Sequence, residues 1–124
     1  MFATFLKSKL ECEILFLPVS KLLDAVKNRE IDIALVPPLD LHKGGDFVVS
    51  SLYGIVADSV FSTNFLYFKP GEKDVNEITM KGDISFHDIT LVRVIFRELY
   101  GIDPKMTSYS GDIGQVENLL VAGD

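Results

Sequence analysis

Tryptophan is absent from the 124 residues, cysteine occurs once and histidine twice. Cys12 alone forms no disulfide within the chain, and with only His42 and His87 beside it there is no spacing for a structural zinc site. No run of about 18 apolar residues occurs, which removes a helical membrane span. Lys7, Lys9, Glu11 and Glu13 interrupt the apolar N-terminal stretch, and no small-residue cleavage site follows it, so a cytoplasmic protein is expected. Positive charge is scarce as well: 12 Lys and Arg against 18 Asp and Glu leave a formal charge of −6, which repels phosphate backbones and anionic lipid. Nucleic acid and membrane surfaces are therefore not expected as partners.

What is present is apolar. Hydrophobic residues make up 48% of the chain and charged ones 24%, too apolar for disorder, and the length suits one domain. The mean hydropathy of +0.26 implies more apolar surface than a small soluble monomer hides, so self-association is expected.

The pattern along the chain reads as α/β. Residues 13–17 form a short apolar run closed by Pro18, and Ser20 offers a cap for a helix to about Asn28 with Leu22, Leu23 and Val26 at helical spacing. Residues 31–36 are β-rich and nearly all apolar until Pro37-Pro38, as in a buried parallel strand. Strand, helix, strand is a β-α-β unit whose ligands gather at the strands' carboxyl ends, which favours residues 36–41 as a site edge. Two further strands are predicted in 47–57 and 60–68, and short ones at 78–80 and 106–109. Asp88 reads as the cap of a helix carrying Ile89, Val92, Ile95, Phe96 and Leu99 and stopped by Gly101. Residues 112–121, with Val116, Leu119 and Leu120 on one side, are predicted as a last helix.

Three strings, IDIALVPPLDL, YGIVADSVFSTNFLYFKPG and DITLVRVIFRELYGIDP, in this order, resemble the chorismate dehydratase family of menaquinone biosynthesis by the futalosine route. The likeness runs, with gaps, over most of residues 13–124. It implies a type II periplasmic-binding-protein-like lobe, a mixed sheet flanked by helices. It further implies one unit over 1–124 that lacks the family's first strand and its C-terminal portion. The implied activity is a lyase reaction, loss of water from chorismate to a 3-enolpyruvyl benzoate, with no metal or organic cofactor. The implied partner is a small carboxylate held between lobes. The alternative within the same fold is a solute-binding or protein-interaction module without catalysis.

The resemblance points to Thr63, Asn64, Ser85, His87 and Asp88 as ligand-binding residues, and no catalytic residue is assigned. The family's strand serine falls on Thr63, which keeps a hydroxyl. Its Ser-Arg-Thr-Ser turn falls on Ser85-Phe86-His87-Asp88, so the arginine is lost and an acid replaces a hydroxyl. Thr63 and Asn64 either face solvent or point into a cleft. Ser85, His87 and Asp88 precede a helix whose N–H groups favour an anion, but Asp88 as a cap would itself supply the negative charge. Asp32 reads as a solvated carboxylate, and Phe61, Phe65, Tyr67 and Phe68 read as packing rather than a stacking platform. With the arginine, first strand and return segment missing, the chain alone is expected to show little or no dehydration.

Overall fold

The computed structural model describes residues 2–56, 58, 63–71 and 74–122. Its elements in order are helix α1 (Phe2–Lys9), helix α2 (Val19–Lys27), a 3-10 turn at Pro38–Lys43, strand β1 (Asn64–Phe68) and strand β2 (Glu77–Gly82). Helix α3 (Phe86–Tyr100), strand β3 (Lys105–Ser108), a 3-10 turn at Ile113–Gln115 and strand β4 (Asn118–Ala122) follow. The protein is thus mixed α/β. The strands form one sheet in the order β1-β4-β2-β3, with β1 antiparallel to β4 and the other two pairs parallel.

Helix α3 positions the sheet because its apolar residues recur every three to four positions. Val92 and Phe96 meet Ile78 of β2 and Leu120 of β4 in the buried cluster, with Leu66, Met80, Met106 and Ile102 packed around it. Phe68 reaches the same face, its ring 6.0 Å from that of Phe96. Gly101 ends the helix at a φ of +70°, its N–H bonded to the Arg97 carbonyl at 3.0 Å. At the far end of β2, Gly82 sits at a φ of +97°, and a Cβ there would stand 1.9 Å from the Ala122 carbonyl oxygen. Only glycine lets β2 and β4 close at this point.

Several expectations are corrected. Residues 13–17 and 31–36 are not strands: they join no ladder, so the β-α-β unit forms later in the chain, as β2-α3-β3. Residues 47–56 are likewise outside the sheet, while of the 60–68 stretch Asn64–Phe68 is a strand and 60–62 lie outside the described residues, as does residue 57. The predicted C-terminal helix is instead the 3-10 turn and β4. β4 is buried along nearly its whole length between β1 and β2, where a run of Leu119, Leu120, Val121 and Ala122 suits a central strand better than a one-sided helix. The N-cap of α3 is Ser85, not Asp88, which stands three residues on. Ser20 does not cap α2: the cap position is Pro18, and the carboxylate of Asp83 accepts from the Val19 and Ser20 N–H groups instead. Helix α1 was not foreseen at all.

Candidate functional site

The carboxyl end of β2, the start of α3 and the start of β1 meet at one sheet edge. β2 pairs with β4 up to Gly82 and Ala122, and β4 pairs antiparallel with β1 so that Asn64 lies opposite Ala122. Ser85 and Asp88 form a reciprocal capping box on α3. The Ser85 N–H donates to Asp88 Oδ2 at 2.8 Å, the Asp88 N–H donates to Ser85 Oγ at 3.2 Å, and the Ser85 hydroxyl donates to Asp88 Oδ2 at 2.6 Å. Ser85 is 1% exposed, so these bonds satisfy groups that water does not reach.

The other oxygen of Asp88 accepts from the Asn64 amide, which ties β1 to the helix start. Thr63, exposed, donates its hydroxyl to Asn64 Oδ1 at 3.5 Å. The His87 N–H donates to Asp40 Oδ1 at 2.8 Å. Asp40 belongs to the turn after Pro37-Pro38 and is 3% exposed, a buried carboxylate held by the helix start it faces. His87 Nδ1 is buried and has no partner among the described groups.

The structure therefore brings Asn64, Ser85, His87 and Asp88 into one cluster, with Thr63 at its exposed margin. It adds Asp40, which was not singled out, although the segment 36–41 carrying it was. The electrostatics differ from those of an open anion site. Of the first-turn donors, Ser85 N–H is taken by Asp88, His87 N–H by Asp40 and Asp88 N–H by Ser85 Oγ. The Phe86 N–H has no acceptor among the described groups. The positive end of α3 is thus largely neutralised by the chain's own acids.

A second fastening lies next door. Burial pushes the Asp83 carboxyl up, but hydrogen bonds from the Ser20 side chain and from the Ser20 and Val19 N–H groups together outweigh it, and its pKa lies below the ordinary carboxylate value. Asp40 and Asp83 together pin residues 18–43 to the β2–α3 turn.

Two open depressions lie away from this cluster. An open depression of about 570 Å³ is lined by Asp74, Glu77, Thr79, Tyr109, Gln115 and Asn118 among others, at the opposite end of β2 and β4. Asn118, 7% exposed, donates to the Glu77 carbonyl at 3.4 Å, and its Oδ1 has no partner among the described groups. Another, of about 370 Å³, lies beside α1 and is lined by Thr4, Lys7, Glu13, Ile14 and Phe16. Among the described residues, no group of three or more His, Cys, Asp or Glu could hold a metal ion, and no helix is long and apolar enough to cross a membrane.

Cys12 is exposed, and so is His42, on the turn that carries Asp40. Compared with protein-family models, curated proteins and solved structures, the chain matches none of them.

Proposed function

We propose that this chain binds a small carboxylate, in the manner of the chorismate dehydratase kind and with a type II periplasmic-binding-protein-like fold, without dehydrating it. One observation supports this reading above the others: Asn64, Ser85 and Asp88, to which the resemblance points, are linked by hydrogen bonds at the carboxyl end of a parallel strand, with His87 beside them at the helix start. The ligand carboxylate would take the Phe86 N–H and, in place of Asn64 Oδ1, the Thr63 hydroxyl, and a ligand hydroxyl would reach the imidazole of His87.

Absence of turnover follows from the same geometry. Dehydration needs a base free to take a proton, donors to both substrate carboxylates and a site closed to water. Both Asp88 oxygens are already acceptors, and Asp40 is engaged at the His87 N–H. Calorimetric titration with chorismate, followed by chromatography of the same mixture, tests the proposal. Binding with chorismate unchanged is expected, and binding with conversion would refute the non-catalytic half.

A second reading, a protein-interaction module, is favoured by one feature. Residues 13–17, 31–36 and 47–56 are apolar yet join no ladder, and Phe16 is 86% and Ile33 72% exposed. No heat with chorismate would favour it.

A further inference from the structure

Residues 18–43 hold α2 and the turn at Pro38–Lys43 and contribute no strand to the sheet. The buried side chains of α2, Leu23 and Ala25, do not belong to the cluster of Ile78, Val92, Phe96 and Leu120 that α3 makes with the sheet. Within the segment, Lys27 at the end of α2 donates from Nζ to the Lys43 carbonyl at 2.9 Å, which ties the helix to the end of the turn. Gly44 and Gly45 follow, both at positive φ, and a Cβ added at Gly44 would meet nothing within 4 Å.

Among the described residues, the hydrogen bonds and the ring contact that fasten this segment to the rest of the chain all reach residues 83–87. The Asp83 carboxylate accepts from the Val19 N–H and, at 3.1 Å, from the Ser20 N–H. The Asp40 carboxylate accepts from the His87 N–H at 2.8 Å, and the Lys43 ammonium stands 4.9 Å from the centre of the Phe86 ring. The two carboxylate contacts are reciprocal. An acid of the β2–α3 turn takes first-turn donors of α2, and an acid of the segment takes a first-turn donor of α3. Because Lys27 joins α2 to the turn that carries Asp40, release at one contact loosens the hold at the other.

We infer that residues 18–43 are a strap that docks on residues 83–87 and leaves them as one unit, and that the docked strap closes the carboxylate cluster. A unit with its own internal tie, few fastenings and no share of the main apolar cluster is the kind that opens below the free energy of global unfolding. The closing role rests on the carboxylate reading. With the strap docked, Asp40 holds the His87 N–H. With it away, that N–H and the neighbouring Phe86 N–H are free together, two adjacent donors for one ligand carboxylate. Docking therefore lowers the apparent affinity by the fraction of chains in which the strap is closed.

Hydrogen exchange on the full chain, referenced to unfolded peptides, reads the unit. Amides of α2, of residues 38–43 and of His87 should share one opening free energy, below that of Thr79 and Leu120 in the sheet. Asp83→Asn should speed exchange at His87 several-fold, and Asp40→Ala should do the same at Val19 and Ser20, with Thr79 and Leu120 unmoved. Lys27→Met should uncouple the two ends, so that Asp83→Asn in that background speeds Val19 and Ser20 but not His87. Calorimetric titration with chorismate reads the closing role, and Asp83→Asn should bind more tightly than the parent. A strap that exchanges in separate steps, or at the rate of the sheet, would overturn the inference, as would a far contact that does not respond when the near one is removed. Equal affinity of parent and Asp83→Asn would overturn the closing role while the exchange data uphold the strap. Binding to neither would refute the carboxylate reading and the closing role with it.

Discussion

The carboxylate of Asp40 and the backbone N–H of His87, 47 positions apart, meet at 2.8 Å with Asp40 only 3% exposed. This bond gives the buried acid a donor and gives the second residue of α3 its partner. It also takes one of the N–H groups at the helix start, so that a ligand has fewer of them to use.

Removing it should be costly. Asp40→Ala leaves the His87 N–H without its partner, and about 1–3 kcal/mol of stability should be lost in urea unfolding. Asp40→Asn keeps an acceptor oxygen at the same place and should lose less. Equal losses for the two variants would show that the bond contributes little.

The Asp83 contact predicts a pH dependence. Its carboxyl is net lowered in the folded chain, so its stabilisation is fully present above the unfolded value of about 3.9 and is lost as pH falls through the lower folded value. Hydrogen exchange at the Val19 and Ser20 amides should show α2 loosening on acidification, referenced to exchange in an unfolded peptide. Asp83→Asn should loosen it already at neutral pH. Amides equally protected in both proteins at pH 7 would contradict the assignment.

A different outcome is expected for Asp103. Hydrogen bonding from Arg93 is the main cause that holds its carboxyl down to about 2, with Arg97 assisting. The group lies at the surface, where water and salt screen such pairs, so Asp103→Asn should move the thermal unfolding midpoint little, and less still at high salt.

Gly82→Ala should be far more damaging. The added methyl would collide with the Ala122 carbonyl in a backbone region that L side chains rarely adopt, so about 1–3 kcal/mol or more should be lost. A variant as stable as the parent in chemical denaturation would mean that β2 and β4 do not close at this residue.

The parts legible in the sequence are those in which local pattern and tertiary role agree. Val92 and Phe96 fall at helical spacing and are buried against Ile78, and Gly101 stops the helix as its type suggests. At 116–121 they diverge. Val116, Leu119 and Leu120 satisfy a helical stripe, but Leu119, Leu120, Val121 and Ala122 also satisfy a strand buried on both faces, and pairing with β2 and β1 decides between them. Residues 31–36 have strand composition, yet a strand needs a neighbour, and composition cannot supply one. At the site, Ser85 and Asp88 stand at the spacing of a capping box, a pattern that marks Ser85 as the cap and Asp88 as its partner three residues on. Asp40 was not readable, because only the fold carries it across 47 positions to His87.

The carboxylate-binding proposal is tested most directly by ¹H–¹⁵N correlation spectra recorded during titration with chorismate. The account predicts shifts concentrated at Thr63, Asn64 and Phe86 to Asp88, suppressed in Asn64→Ala, with chorismate intact at the end. Spectra that do not change, or that change instead around Asp74, Glu77 and Asn118 at the other end of the sheet, would contradict it.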